Sequence, residues 1–178
     1  MGIQAPVPAH ALAHDERVAV ARLHALLELL PTALDKQLQE VGLTAFEFTL
    51  LEALHEADDS RLRLSALASR TNATLPRLSR VVTGLERKGL VVRAACDGDG
   101  RATNAVLTDE GEAAYARARG VYAAAVRTMI LDGLDPDGVT QLADLSYAIL
   151  ARLDPDAKLA ITAEGACAAD PSPVPVPA

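Results

Sequence analysis

The sequence predicts a mainly α-helical protein with a small β wing. Ala and Leu are abundant while aromatic residues make up only 3% of the chain, a composition that favours helices over strands. Apolar residues recur every three or four positions along most of the chain, as they do on one face of a helix. Residues 90–107 instead form two extended runs around a glycine-containing loop, which is typical of a β-hairpin. With 178 residues, the chain is long enough for one domain with a substantial core.

The first helix is expected to begin near Asp15 and to end at Gly42, a residue type that favours helix C-termini. Pro31 is expected to kink or divide this helix, because proline lacks an N–H group and clashes with the preceding turn. An apolar stripe at helical spacing needs a surface to pack against, either in the core or on another molecule. The stripe consists of Val18, Leu23, Leu26, Leu27, Leu30, Leu34, Leu38 and Val41.

A capping box predicts the start of the second helix. Thr44 is the expected cap, and the side chain of Glu47 is expected to reach back to the N–H group of Thr44. The helix is expected to close near Glu56 and to be followed by a turn at Asp58–Ser60. Residues 61–64 alternate between polar and apolar side chains and therefore predict a short strand.

Two further helices are predicted on either side of a tight turn. Ser65 is the expected cap of the third helix, Asn72 is the turn residue, and Thr74 is the expected cap of the fourth helix. Pro76 falls in the first turn of the fourth helix, where a missing N–H group costs nothing. One face is expected to lie in the core: Leu75, Leu78, Val82 and Leu85. The opposite face is mostly polar and basic: Pro76, Arg77, Ser79, Arg80, Thr83 and Arg87.

The predicted wing consists of a strand over residues 90–95, a loop over residues 96–100 and a return strand over residues 102–107. Arg101 is placed at the tip of this hairpin. Thr108 is expected to cap a long fifth helix that begins directly after the wing.

The rest of the chain predicts one more helix and two tails. Residues 132–133 should stop the fifth helix, and residues 135–136 should start a sixth helix in cap-then-proline order. That helix is expected to end at Leu153. The N-terminal extension, residues 1–14, and the Ala/Pro-rich tail, residues 154–178, are expected to be disordered.

Positive charge is concentrated in one segment of an acidic chain. The formal net charge is −7, but residues 61–101 carry nine basic and three acidic side chains, a local charge of +6 that leaves −13 for the rest. Because salt screens charges beyond roughly 8 Å, the local sign decides which partners are attracted. The basic residues are Arg61, Arg63, Arg70, Arg77, Arg80, Arg87, Lys88, Arg93 and Arg101.

Several classes of protein do not fit the sequence. It has no apolar run of about 18 residues that would span a membrane, and its first residues lack the pattern of a signal peptide, so a cytoplasmic location is expected. Cys96 and Cys167 are far apart, which argues against a disulfide framework or a zinc site. The four histidines are scattered, so no metal or other cofactor is expected. We find no nucleophile–base pair or phosphate loop, so an enzyme is not expected.

The fourth helix has side chains that suit the major groove of double-stranded DNA. Arginine can bind guanine O6 and N7 together, serine and threonine can bond to a base or a phosphate, and a proline ring can contact a thymine methyl. The N–H groups at the start of the third helix can bind a phosphate. We therefore predict DNA contacts from Ser65, Thr74, Pro76, Arg77, Ser79, Arg80 and Thr83.

The wing offers a second DNA contact. Arg101 could enter a narrow minor groove, where the negative potential is enhanced. Asp99 is expected to orient Arg101 through a hydrogen-bonded pair. Alone, a basic helix is most often a solvated face and a glycine-rich hairpin is usually only a hairpin. Their order, within a segment of charge +6, favours DNA binding.

Three segments carry recognisable motifs: LTAFEFTLLEAL, LSALASRTNATLPRLSRVVTGLERKGLVVR and DGDGRATNAVLTDEG. The second contains L-E-x-x-G-L-V, and the third contains D-x-R followed by L-T-x-x-G. Through them, the chain from about Asp15 to Leu153 resembles the MarR family of winged helix–turn–helix transcription regulators. The wing of that family often carries two consecutive arginines. Here Gly100 takes the first place, so only Arg101 is carried over.

The resemblance implies a homodimer that binds a pseudo-palindromic operator. Residues 15–42 and 109–153 would form the helical dimerisation region, and residues 43–108 the winged helix–turn–helix. It also implies a repressor released by a small, often aromatic ligand, for which the candidate pocket residues are His24, Phe46 and Phe48, although such residues are more often core or interface. The competing interpretation is a winged-helix protein-interaction module without specific DNA binding.

Overall fold

The computed structural model describes residues 11–96 and 99–159, apart from the side chains of residues 96 and 99–102. The predicted fold class is confirmed, because the described residues form six α-helices and one small antiparallel sheet. In chain order these elements are α1 His14–Leu38, α2 Ala45–His55, β1 Arg61–Arg63, α3 Leu64–Arg70, α4 Leu75–Arg87, β2 Val91–Cys96, β3 Asp99–Leu107, α5 Asp109–Val126 and α6 Pro136–Leu153.

The junction between α1 and α2 follows the local rules. Gly42 adopts a left-handed conformation with φ of 76° after a short 3-10 turn, as expected of a residue that ends a helix. The capping box is confirmed: the backbone N–H of Glu47 donates to Thr44 Oγ1 at 3.1 Å, and that of Thr44 donates to Glu47 Oε2 at 2.9 Å. Asp35 of α1 also accepts a hydrogen bond from the N–H of Ala45 at 2.7 Å, which joins the two helices.

Pro31 does not divide the first helix, because α1 runs without interruption from His14 to Leu38. Its C-terminal part is held by the core through Leu34 and Leu38, which are buried. Packing there offsets the loss of one backbone hydrogen bond at the proline.

Two expectations for the helix–turn–helix are wrong. Ser65 does not cap α3, because β1 passes directly into a helix that begins at Leu64, whose half-buried side chain packs on the core. Leu75 is 52% exposed and lies outside the core, since the first turn of α4 extends beyond the packed surface. Thr74 does occupy the N-cap position of α4, but its side chain makes no capping hydrogen bond. Asn72 has φ of 54°, as suits its position in the turn.

The wing belongs to a three-stranded sheet in which β3 lies between β1 and β2. Val92 pairs with Val106 on one side of β3, and Arg63 pairs with Asn104 on the other. Because β3 already begins at Asp99, the loop is shorter than predicted, and the backbone of residue 101 lies within the strand instead of at the tip.

Helices α5 and α6 begin with side-chain caps. Thr108 Oγ1 accepts from the N–H of Gly111 at 3.0 Å, and Asp135 Oδ1 accepts from that of Gly138 at 2.7 Å. After Val126 the fifth helix continues as one π-helical turn over Arg127–Leu131, for which the sequence gives no signal. Residues 154–159 form a turn in which the Asp154 carboxylate accepts from two backbone N–H groups, and the disorder expected of residues 154–178 stays a prediction.

The core lies between the helix–turn–helix, the sheet and the first half of α5. Its largest fully buried side chains are Leu38, Phe48, Leu50, Leu51, Leu54, Leu67, Leu78, Val82, Leu85 and Val91. No residue of α6 is buried, and large apolar side chains remain exposed on both α1 and α6. Among the described helices, none combines the length and apolar character needed to cross a membrane.

Candidate nucleic-acid interface

Helix α4 separates an inner apolar face from an outer polar face. Leu78, Val82 and Leu85 are fully buried at spacings of four and three, so their helix face is fixed against the core. The side chains on the opposite side of the first two turns are exposed: Pro76, Arg77, Ser79 and Arg80. This is the arrangement that a helix needs in order to present polar groups to a DNA groove.

Arg77 of α4 contacts an aromatic ring of the second helix, α2. Its guanidinium carbon lies 4.2 Å from the ring centroid of Phe46, which is half-buried at the start of α2. A cation over an aromatic face is attracted by the ring electrons. The contact restricts the arginine while leaving the side chain exposed.

Arg93 of β2 contacts three residues of α4. One guanidinium nitrogen, Nη1, pairs with the carboxylate of Glu86. The other, Nη2, donates to the backbone carbonyl of Ser79 at 3.0 Å and to Thr83 Oγ1 at 3.1 Å. The Thr83 hydroxyl in turn donates to the same Ser79 carbonyl at 3.0 Å. We call these four residues the Arg93 clamp.

The nine basic residues of the segment 61–101 differ in whether they form an ion pair. Lys88 pairs with Glu47 at 2.7 Å, Arg70 pairs with Glu56 at 2.9 Å, and Arg93 pairs with Glu86. The charges of these three cations are therefore balanced by carboxylates of the same chain. In the part of the chain whose side chains are described, the arginines of the segment without an ion pair are Arg61, Arg63, Arg77, Arg80 and Arg87.

The remaining predicted DNA contacts fall in different places. Ser65 is exposed in the first turn of α3, and Thr74 is exposed at the N-terminus of α4. The side chains of Asp99 and Arg101 lie outside the described residues, so the expected pair between them stays a prediction.

A second group of titratable and aromatic side chains joins α2 to α5. The Phe48 ring stacks on Tyr122 at 4.3 Å and on Tyr115 at 5.6 Å between centroids, and His55 Nδ1 lies 2.9 Å from the Glu112 carboxylate. Burial, followed by the charge of Glu52, raises the pKa of both tyrosines, so both stay neutral at physiological pH. The sequence gives no signal for this group, because the contacts connect residues more than 50 positions apart.

The predicted ligand residues do not come together. His24 is exposed on α1, Phe46 stacks against Arg77, and Phe48 is only 1% exposed in the core. An apolar cleft of about 360 Å³ instead lies between Gln37 of α1 and the end of α5. Its lining from α5 and the π-helical turn is Val121, Ala124, Ala125, Thr128 and Met129. Among the described residues, no group of three His, Cys, Asp or Glu side chains could hold a metal ion.

Comparisons with known proteins identify proteins that are similar to this chain in sequence and structure. The sequence profile of the MarR family matches residues 41–102. AbsC, a MarR family transcriptional regulator from Streptomyces coelicolor, is 32% identical, covers 83% of this chain and 99% of its own, and superposes with a TM-score of 0.78. Sco3205, a MarR family regulator from the same organism whose crystal structure contains DNA, is 33% identical over 80% of this chain and 94% of its own, also with a TM-score of 0.78.

A shorter match comes from the HTH-type transcriptional repressor YetL of Bacillus subtilis. It is 38% identical over 72 residues, which is 40% of this chain and 43% of the repressor. The chain therefore matches less than half the length of that repressor.

Proposed function

The chain belongs to the MarR family of transcriptional regulators, and from this membership we propose that it is a homodimeric, sequence-specific DNA-binding regulator, not an enzyme. The observation that carries the proposal is the outer face of α4, where Pro76, Arg77, Ser79 and Arg80 are exposed opposite a buried leucine and valine stripe. Such a regulator works where the chromosome lies, in the cytoplasm.

In this proposal α4 enters the major groove. Arg80 and Arg77 carry no ion pair among the described residues, so their guanidinium groups are available to guanine O6 and N7. Thr74 at the N-terminus of α4 and Ser65 in the first turn of α3 lie where backbone N–H groups and short hydroxyl side chains can bind phosphates. The wing residue Arg101 is assigned to the minor groove, with Asp99 orienting it.

The exposed apolar side chains of α1 and α6 support the homodimer. Leu145 is 66% exposed and Leu153 is 76% exposed on α6, while Leu29 is 70% exposed on α1. Contiguous exposed apolar residues on a monomer mark an interaction surface. Because a two-fold dimer presents two copies of α4, the operator is expected to contain two half-sites about 10 bp apart, centre to centre.

We further propose that the regulator is a repressor released by a small apolar ligand. The supporting feature is the cleft between Gln37 and Met129, whose lining is mostly apolar and which adjoins the π-helical turn. π-helical turns are frequent at functional sites. A ligand there would contact both α1 and α5 and could shift the two α4 helices relative to each other.

Selection of genomic DNA fragments by the purified protein, at low and at high salt, tests DNA recognition. We expect one palindromic sequence to survive the higher salt concentration. Arg80→Ala should weaken binding to that sequence by about 1–3 kcal/mol if Arg80 contacts a base. Arg117→Ala, which removes an exposed arginine of α5, is the matched control and should not change affinity. Random fragments lost at higher salt would refute specific recognition and favour the protein-interaction module.

A further inference from the structure

We propose that Arg93 is a positioning residue for DNA recognition: through the Arg93 clamp it fixes the orientation of α4, and its charge does not anchor a phosphate. The inference rests on the proposed function, because it concerns how the DNA-reading helix is held. It also reassigns Thr83 from reading bases to holding the helix.

The clamp ties two turns of α4 to a rigid strand. Ser79, Thr83 and Glu86 follow one another at spacings of four and three, so they lie along one side of the helix. Arg93 itself pairs with Ala105 in the sheet, and Ala105 is fully buried. Rotation of α4 relative to the sheet would therefore break contacts at several points.

The charge of Arg93 is already balanced by a carboxylate of the same chain. Its side chain is only 29% exposed, and the carboxylate that it contacts, on Glu86, is equally shielded at 28%. A cation that is paired in this way releases few counterions when DNA binds, so it adds little to the salt dependence of binding.

The only donor hydrogen of the Thr83 hydroxyl is already used within the protein. The hydroxyl donates this hydrogen to the carbonyl of Ser79 and accepts a hydrogen bond from Arg93 Nη2. Donation to an acceptor on a base would therefore have to break the bond to Ser79. Thr83 therefore transmits the position of Arg93 to the same turn of α4 that carries the exposed Ser79 and Arg80 side chains.

Only arginine can make this set of contacts. The guanidinium group is planar and presents its donors in a fixed fork, which allows Nη1 to bind Glu86 while Nη2 binds Ser79 and Thr83. A lysine keeps the charge and can pair with Glu86, but its single nitrogen cannot reproduce the fork. Arg93→Lys thus separates the geometry of the clamp from its charge.

The experiment measures the affinity of each full-length variant for two duplexes of equal length over a range of salt concentrations. One duplex carries the sequence recovered by fragment selection, and the other is a scrambled version of it. The variants are Arg93→Lys, Arg93→Gln, Glu86→Gln and the double variant Arg93→Gln/Glu86→Gln, which restores the wild-type net charge. Arg87→Gln, which removes an exposed cation without an ion pair, is the charge control.

The affinity ratio is the affinity for the selected duplex divided by the affinity for the scrambled duplex. We expect this ratio to fall about tenfold in all four clamp variants, which is comparable to the loss of one hydrogen bond to a charged group. The salt dependence of Arg93→Lys and Arg93→Gln should equal that of the wild type. Arg87→Gln should weaken binding to both duplexes alike and lower the salt slope by about one, as expected when a phosphate contact is lost. A merely destabilised variant would lose active protein for both duplexes equally, so the affinity ratio separates positioning from stability.

Two results would overturn the inference. A wild-type ratio in both Arg93→Lys and Arg93→Gln would show that the clamp does not position α4. Equal weakening of binding to both duplexes by Arg93→Gln, together with a lower salt slope, would make Arg93 a phosphate contact. A wild-type protein that does not distinguish the two duplexes would instead refute the proposed function, and the inference with it.

Discussion

Gly111→Ala is expected to destabilise the junction between the wing and α5. A Cβ atom at this position would lie 2.7 Å from Leu107 Cδ1 and 3.0 Å from the carbonyl carbon of Leu90, and it would overlap the carbonyl oxygen of Leu90. The backbone carbonyl cannot rotate away as a flexible side chain could. That carbonyl also accepts from the N–H of Thr108 at 3.2 Å, so moving it disturbs the cap of α5. Overpacking of this kind costs about 1–3 kcal/mol.

Gly120→Ala provides the matched control within the same helix. A Cβ atom at Gly120 meets no other atom within 4 Å, so this substitution should stabilise the protein by about 0.5–1 kcal/mol through helix propensity. Thermal unfolding at one fixed protomer concentration should show a lower Tm for Gly111→Ala, by about 4–8 °C for a loss of 2 kcal/mol in a protein of this size. Equal Tm values for Gly111→Ala and the wild type would refute the close contact with Leu90.

Two further substitutions test the electrostatics of the molecule. Burial is the main cause that raises the pKa of Glu52 in the folded protein, followed by the charge of Glu56. Because the ordinary pKa of a glutamate is about 4.3, ionisation of Glu52 lowers the free energy of unfolding as the pH rises from that value through the raised pKa. Glu52→Gln should therefore stabilise the protein against urea at pH 7 but not below pH 4, whereas Glu40→Gln, at an exposed position, should show no such pH-dependent gain. Phe46→Leu should weaken operator binding about two- to fivefold, because a cation–π contact at an exposed site contributes about 0.5–1 kcal/mol. In an Arg77→Ala background the same change should have no effect, and a full effect there would show that Phe46 acts independently of Arg77.

Local features of the fold could be predicted from the sequence because their partners are close in the chain. The Thr44–Glu47 box and the caps at Thr108 and Asp135 connect residues three positions apart. A short stretch of sequence therefore includes both partners of each hydrogen bond. Ser65 shows the limit of the same rule. A serine before an apolar run predicts a cap only when the chain before it is free to adopt a cap conformation, and here β1 leads directly into α3.

The structure does not bring the candidate ligand residues together, and for the two phenylalanines the sequence already contained a geometric reason. Phe46 and Phe48 are two positions apart on one helix, so their side chains point about 200° apart and cannot line one pocket. Phe48 accordingly stacks in the core while Phe46 faces Arg77 of α4. The π-helical turn beside the cleft gives no comparable signal, since residues 127–131 have an ordinary helical composition.

The charge of the DNA-binding segment could be counted from the sequence, but the roles of its basic residues could not. Three of the nine cations are paired with carboxylates, and two of those carboxylates, on Glu47 and Glu56, lie outside the segment in α2 or at its end. These pairs join α2, α3 and the sheet to the helices around them, so they stabilise the shape of the proposed DNA-binding surface without adding to its charge. Among the residues of the segment whose side chains are described, five arginines then remain without an ion pair. An acidic protein can therefore recognise DNA through a few unpaired arginines, provided that the paired ones hold them in position.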